Sequence, residues 1–212
     1  MDTYIKDLIQ QGEHQQLDFK FEISDSKKIA RSLVAFANTD GGKLLVGVKD
    51  NGVIAGVRSE EEYFMVEGAA SMYCKPEVKF KTKEWRIDGK LVFEVTVEKS
   101  LEKPHFATDK EGNWKVFVRV GDQNLLANKV LLQIWKHQKN RTEVNICYRE
   151  QEEILMHFLS ENGHITLSQF CRLAKIPSYM AEKILINFIL LDIIQMNITE
   201  KQTFYRLNDQ RV

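Results

Sequence analysis

Cysteine is scarce in this sequence and follows no pattern. The 212 residues contain three cysteines, Cys74, Cys147 and Cys171, which are far apart and lack the spacing of metal ligands. An odd number of scattered cysteines predicts reduced thiols in an intracellular protein. The five histidines also lack a mutual spacing suited to zinc. Disulfide frameworks and zinc sites are therefore set aside.

Long apolar runs and an excess of one charge are also absent. No window approaches the roughly eighteen apolar residues that a membrane span requires. The opening residues, MDTYIKDLIQQGEH, lack the basic region and apolar run of a signal peptide. We therefore expect a cytoplasmic protein. Thirty basic and thirty acidic residues cancel, so no global positive field attracts phosphate. A local basic groove is still compatible with this balance.

Common motifs of nucleotide hydrolysis and nucleophilic catalysis are missing. Gly41-Gly42-Lys43 is not part of a G-x-x-x-x-G-K-[ST] pattern, so it does not predict a phosphate-binding P-loop. No serine or cysteine lies in a nucleophile motif. The sequence gives no support for an ATPase or an acyl-transfer enzyme.

The stretch from Leu17 to Val57 carries the clearest pattern. Apolar residues near helical spacing end at Ala37, and the segment Asn38 to Gly42 supplies a polar stop with two glycines that suit a helix C-cap. Lys43 to Val48 then predicts a strand, and Asp50-Asn51-Gly52 predicts a hairpin turn into residues 53–57. The rest of the chain is expected to pack on this unit.

These residues also carry a family resemblance. Glu13, Leu17-Asp18-Phe19-Lys20 and the run AFANTDGGKLLVGVKDNG resemble the Schlafen AlbA-like domain, a family described as DNA-binding. Val118-Arg119-Val120-Gly121 is similar to a later R-x-G segment of that family. The resemblance covers about residues 10 to 127. It implies an α+β fold in which a mixed or antiparallel sheet is flanked by helices.

Two domains are predicted, 1–140 and 146–212, because the segment HQKNRTEVN at 137–145 is polar and carries no pattern. Within the first domain, period-two alternation in 77–97 around Asp88-Gly89 predicts a strand pair, and a helix start is predicted at Ser59. A helix containing Leu125, Leu126 and Trp135 is predicted next. The second domain, with helix, short strand, two helices and a hairpin, resembles a winged helix-turn-helix.

The leading functional hypothesis is a nucleic-acid-binding protein, with DNA favoured over RNA and transcription regulation as its role. Basic residues in and beside the resemblance are candidates for phosphate contact, although a solvated charged face is the alternative. The candidates are Lys20, Lys27, Lys28, Lys43, Lys49 and Arg119. Arg119 lies in an apolar strand, where it reaches either a phosphate or a carboxylate such as Asp122. Binding itself would require no cofactor.

A second hypothesis is a metal-dependent ribonuclease. In Schlafen ribonucleases three acidic residues at the matching places form the active site, and the resemblance would carry that role to Glu13, Asp18 and Asp50. Clustered carboxylates hold Mg²⁺ or Mn²⁺, which polarises a phosphate and activates water. The alternative is that these are surface acids and a hairpin aspartate. Whether the protein is an enzyme stays open, with a non-enzyme favoured.

Two further features have competing interpretations. Alternation places Lys79, Lys81 and Lys83 on one strand face with Trp85 as a possible stacking surface, while the favoured interpretation is an edge strand protected by lysine. The predicted third helix of the second domain is apolar on nearly every side from Ile184 to Leu191. We expect that run to pair subunits of a homo-oligomer. A third hypothesis is therefore an interaction module without nucleic-acid activity.

Overall fold

The computed structural model describes residues 2–57, 61–141, 144 and 148–208. The chain divides into two compact units, Met1–Ala127 and Asn128–Val212. This division falls before the segment 137–145 that the sequence suggested, because Val130 and Ile134 pack into the core of the second unit. The helix start predicted at Ser59 lies outside the described residues.

The first unit combines helices with short strands. In chain order its elements are α1 (Asp2–Gln11), β1 (Leu17–Lys20), α2 (Ser26–Asn38), β2 (Gly42–Val46), α3 (Glu61–Met72), β3 (Cys74–Lys75), β4 (Phe80–Ile87), β5 (Lys90–Val97), β6 (Phe106–Thr108), β7 (Trp114–Lys115), β8 (Phe117–Val120) and β9 (Gln123–Leu126). The α+β class expected from the sequence is confirmed for this unit.

A four-stranded mixed sheet forms the centre of the first unit, in the order β1-β2-β5-β4. β1 and β2 are parallel, and the other neighbours are antiparallel. Successive residues of a strand point to opposite faces, so each strand contributes to two cores. α2 and α3 pack on the face that includes Leu44 and Val95. α1 packs on the opposite face, against Phe19 and Leu45.

Smaller sheets complete the first unit. β3, β6 and β7 form an antiparallel sheet in the order β3-β6-β7, and β8 pairs with β9. The helix predicted to include Leu125 and Leu126 begins later, at Lys129, because those two leucines pair with β8 in a strand. Asn128 caps the new start, since its side chain accepts a hydrogen bond from Leu131 N.

The beginning and end of α2 follow from local chemistry. Asp25 is the N-cap and accepts a hydrogen bond from Lys27 N at 2.9 Å. After the helix, Gly41 has a φ of +72° and donates its N–H to Phe36 O. Gly42 is required for a steric reason, because a Cβ atom there would collide with the Phe36 ring. The chain can therefore turn directly into β2.

The second unit contains helices and one small sheet. Its elements are α4 (Lys129–Asn140), α5 (Glu150–Asn162), β10 (His164–Ile165), α6 (Leu167–Leu173), α7 (Ser178–Leu190), β11 (Ile194–Ile198) and β12 (Thr203–Leu207). β12 pairs antiparallel with both β10 and β11. The predicted hairpin after the third helix is confirmed.

The apolar run of α7 is used inside the second unit. Ile184, Leu185 and Phe188 are buried in its core, where α4, α6 and β11 contact the helix. Ile189 and Leu190 are partly buried against the same core. The run Ile184–Leu191 was predicted to pair subunits. It therefore has no exposed apolar face for that role, because other elements of the same unit cover it.

None of the described helices has the length and apolarity that crossing a lipid bilayer requires.

Candidate nucleic-acid interface

The segment between α2 and β2 connects distant parts of the first unit. Asn38 is buried, and its side-chain amide donates to His105 O and Phe117 O while its oxygen accepts from His105 N. The Thr39 hydroxyl donates to Ala35 O and accepts from Arg119 N. Asn38 and Thr39, at the end of α2, therefore hold β8 beside α2, and their role is structural.

Arg119 is held in the interior rather than at the surface. Its residue exposure is 2%, and its guanidinium donates to the carbonyls of His14 and Leu17 and to Asn124 Oδ1. Its carboxylate partner is Asp18, at 3.5 Å, and not the Asp122 that lies nearby in sequence. The prediction that Arg119 contacts phosphate is wrong, because a buried and fully engaged guanidinium cannot reach a ligand.

Asp18 is the buried carboxylate of this cluster. It accepts hydrogen bonds from Lys20 Nζ at 3.0 Å and from Ser32 Oγ at 3.2 Å, in addition to the ion pair with Arg119. Burial acts to raise its pKa, but the hydrogen bond with Glu13 and the charges of Lys20 and Arg119 outweigh burial and lower it. Asp18 is therefore ionised and its charge is already matched within the protein.

Glu13 shares a hydrogen bond with Asp18 and has the opposite shift. Burial, followed by the hydrogen bond to Asp18, raises the pKa of Glu13 to about 7. Its Oε1 also accepts from Phe19 N at 2.8 Å. Glu13 and Asp18 thus form a proton-sharing pair at the start of β1. The turn between them brings the two side chains together.

The three candidate carboxylates do not form a metal site. Asp50 is an exposed turn residue, and no three His, Cys, Asp or Glu side chains among the described residues are grouped so as to hold a metal ion. The oxygens of Asp18 are engaged by Lys20, Arg119 and Ser32. A Mg²⁺ or Mn²⁺ ion would have to displace two cationic partners, so this donor set does not fit the metal that the ribonuclease hypothesis needs.

Four of the candidate lysines lie at one end of the first unit. β1 and β2 are parallel, so their C-terminal ends share one edge of the sheet. The N–H groups of Gly47 and Val48 donate to Lys20 O, which fixes the chain just before Lys49 against the end of β1. The short connection to α2 brings the first turn of that helix to the same edge. We call Lys20, Lys27, Lys28 and Lys49 the basic end.

The lysines of the basic end differ in what they contact. Lys28 and Lys49 are exposed, and the Lys49 ammonium lies 5.4 Å from the centre of the Phe21 ring. Lys20 is partly buried and donates to Asp18 and to Phe19 O. Lys27 lies 3.5 Å from Lys110 O, which belongs to another segment of the chain. The most accessible positive charges are therefore those of Lys28 and Lys49.

Lys43 lies apart from the basic end. Its register in β2 places it on the face opposite to Lys20. There its ammonium is 2.5 Å from the buried carboxylate of Glu94, which also accepts from Tyr4 Oη and Trp85 Nε1. Glu94 is 4% exposed. Its burial acts to raise its pKa, but the hydrogen bonds from Lys43 and Trp85 outweigh burial and lower it.

The predicted alternation is confirmed for Lys81, Lys83 and Trp85, whereas Lys79 precedes β4, and Trp85 is already engaged. Register places Lys81, Lys83 and Trp85 on one face of the sheet. The Trp85 ring lies 4.9 Å from that of Tyr4 and 3.9 Å from the Lys83 ammonium, and its N–H bonds Glu94. Sequence reasoning missed Glu94 and Tyr4, because nothing local shows that α1 packs over the middle of this strand pair.

The fold and this site define an α+β domain. In this domain the Schlafen-like segment helps to hold the buried pair of Asp18 and Arg119, and the lysines of the basic end lie at the edge of the sheet. The family model described as "Schlafen, AlbA_2" matches residues 13–128, which is more than half of the chain. The chain belongs to this family.

Solved structures include two that resemble this chain at low identity. The DIP2311 protein from Corynebacterium diphtheriae is 22% identical with a TM-score of 0.43, and the match covers 61% of this chain and 28% of that one. The N-terminal domain of a RecG-related protein from Nitrosomonas europaea is 21% identical with a TM-score of 0.41, covering 60% and 95% of the two chains. No curated protein sequence matches this chain.

Proposed function

We propose that this protein binds nucleic acid, DNA in preference to RNA, through the basic end of its first unit. The observation that carries the proposal is the convergence of lysines from β1, α2 and the segment after β2 on one edge, in a chain without net charge. Ammonium groups on an edge neutralise backbone phosphates, and such contacts position a nucleic acid without reading its sequence. Membership of the Schlafen AlbA_2 family supports the same role.

Within the basic end, Lys28 and Lys49 are proposed as the main phosphate contacts. Both side chains are exposed. Lys20 is held by Asp18, so it contributes less than its place in the signature suggested. The lysines of the basic end are therefore ranked by how far each ammonium group already contacts other groups of the protein.

The second unit is proposed to be a winged helix-turn-helix. Its order of elements, α5-β10-α6-α7 followed by the β11–β12 hairpin around a three-stranded sheet, supports that assignment. In that arrangement α7 would approach duplex DNA with Tyr179 and Lys183 exposed and Asn187 partly exposed. These few polar groups suit backbone contact better than base reading. The proposed role is that of a DNA-binding transcription regulator in the cytoplasm.

The proposal is tested by fluorescence anisotropy with labelled duplex DNA, single-stranded DNA and hairpin RNA. Replacing Lys28 and Lys49 together with alanine is expected to weaken binding at least about tenfold, because each charge-assisted contact contributes on the order of 1 kcal/mol. The matched control is Lys6→Ala, which removes an exposed lysine from α1 on the other side of the sheet. Equal affinity in all three proteins, or no binding by the wild type, would contradict the proposal.

A further inference from the structure

The small sheet β3-β6-β7 has one inner and one outer face. Cys74 pairs with Ala107, and both are buried, Ala107 against α2 and Cys74 with its thiol toward Ala30 O. Because side chains alternate along a strand, the residues next to this pair project from the other face. Those residues are Lys75 on β3 and Phe106 on β6, which pair with each other.

The same alternation carries the outer face onto β7. Thr108 lies two residues after Phe106, and its partner in the register is Trp114. Directly paired residues of antiparallel strands project from the same side. Phe106 and Trp114 therefore share the outer face with Lys75. We call these three residues the aromatic face.

The aromatic face is open to solvent at Trp114 and Lys75, while Thr108 on the same side of the sheet is buried. Trp114 is 44% exposed, Phe106 is half-buried and Lys75 is exposed. A large exposed aromatic side chain on a two-residue edge strand contributes little to the core of the first unit. An indole in this position offers a flat surface with an accessible π system.

The β6–β7 hairpin that carries Trp114 contacts the basic end through its turn. Lys27 of α2 lies 3.5 Å from the carbonyl of Lys110, in the turn between β6 and β7, and its ammonium is 6.0 Å from the Tyr73 ring just before β3. Lys110 adds an exposed positive charge at the turn of this hairpin, and the exposed Lys115 pairs with Ala107 on the other side of the sheet. Of its two acids, Asp109 accepts hydrogen bonds from Asn113 and Glu111 is exposed.

We propose that the aromatic face stacks the bases of a single-stranded nucleic acid whose phosphates lie along the basic end. The inference rests on the proposed function and names the form of nucleic acid that the first unit takes. Base stacking on aromatic side chains beside a basic track is how proteins hold single strands, whereas the bases of a duplex are stacked on one another. The positive charge of the basic end and the exposed π surface of the aromatic face therefore both favour a single-stranded nucleic acid as the partner.

Trp114→Ala provides the test in the full-length protein. Affinity for a labelled single-stranded oligonucleotide is expected to fall about 5- to 100-fold, the range seen when one stacked base loses its aromatic partner. Affinity for duplex DNA is expected to change less than twofold. Trp114→Phe keeps an aromatic ring and should restore most of the single-strand affinity. Phe64→Ala is the control, since Phe64 is an exposed aromatic residue on α3, away from this sheet.

The outcomes separate this inference from the proposed function. A protein that binds no probe would overturn both. Single-strand binding that is salt-sensitive but identical in wild type, Trp114→Ala and Phe64→Ala would leave the basic end in place and overturn the stacking role. Quenching of tryptophan fluorescence by the oligonucleotide gives an independent readout. The quenching should disappear in Trp114→Phe, and quenching that persists there would also overturn the inference.

Discussion

At the scale of single residues, the ion pair of Asp18 and Arg119 is the most consequential interaction in the first unit. Their side chains are 4% and 1% exposed, and Arg119 also bonds the carbonyls of His14 and Leu17. Removing one partner of a buried pair leaves an unmatched charge in a medium of low polarity. The pair therefore stabilises the arrangement of β1 and β8 only as long as both residues are present.

Arg119→Met should lower the free energy of unfolding by about 3–5 kcal/mol, and by an amount nearer the smaller value because Lys20 still faces Asp18. Urea unfolding followed by circular dichroism measures this loss. The double variant Asp18→Asn with Arg119→Met should lose less than the sum of the two single variants, since it leaves no unmatched charge. A loss below about 1 kcal/mol in Arg119→Met would show that the pair is not buried as described.

Glu13 gives the first unit a specific dependence on pH. Its pKa is raised by burial from 4.5 to about 7 in the folded protein. Between those two values the folded state binds a proton that the unfolded state has released, so the free energy of unfolding falls as pH rises through this window. In Glu13→Gln that fall should be smaller. Urea unfolding of both proteins at about pH 5 and about pH 7.5 makes the comparison, and parallel pH profiles would contradict it.

These residue-scale partners could not be predicted from the sequence. Asp18 and Arg119 were both identified, but as parts of separate functions, because they lie 101 positions apart. Pairing between such distant positions depends on how α2 packs against β8, and no local sequence pattern predicts that arrangement. Asp122 was the nearer carboxylate in sequence, and the β8–β9 turn directs it into solvent. Proximity along the chain was therefore a poor guide to partnership.

At the scale of elements, α1 is fastened to the sheet by the buried carboxylate of Glu94. Tyr4 Oη donates to Glu94 at 3.0 Å and its ring lies 4.9 Å from Trp85. Ile5 adds an apolar contact, since it is fully buried with Phe19 and Leu45. A short isolated helix is marginal in water, so this packing is what keeps α1 folded.

Glu94→Ala should loosen α1, because Tyr4, Trp85 and Lys43 lose their common acceptor. Hydrogen exchange of the α1 amides is expected to accelerate at least about fivefold, while exchange in the second unit stays the same. Glu84→Ala is the matched control, since Glu84 is an exposed acid on the neighbouring strand. Unchanged exchange in α1 would mean that the apolar contacts alone hold the helix.

Local signals predicted the longer elements well and the shorter ones poorly. The β4–β5 strand pair has direct signatures in its alternation and in the turn at Asp88-Gly89, and this prediction is confirmed. β3, β6 and β7 contain two or three residues each, too few for a period to be visible. Leu125 and Leu126 matched helical spacing, but pairing with β8 places them in a strand. Tertiary pairing decided these cases.

At the scale of the whole molecule, two units each have a core of their own. The basic end gathers positive charge locally, although the complete chain has thirty basic and thirty acidic residues. A protein of this kind should bind nucleic acid weakly at physiological salt and depend strongly on the few lysines that face the ligand. Its affinity for nucleic acid is therefore expected to come from these few lysines and not from the total charge of the protein.

The most direct test of this account is the salt dependence of single-stranded DNA binding, measured by anisotropy for the wild type and for the variant with alanine at both Lys28 and Lys49. The logarithm of the affinity should fall linearly with the logarithm of salt concentration, and each lost phosphate contact should reduce the slope by about 0.7. The variant is thus expected to have a slope shallower by about 1.4 for two contacts. Identical slopes for the two proteins would contradict the basic end as the site of binding.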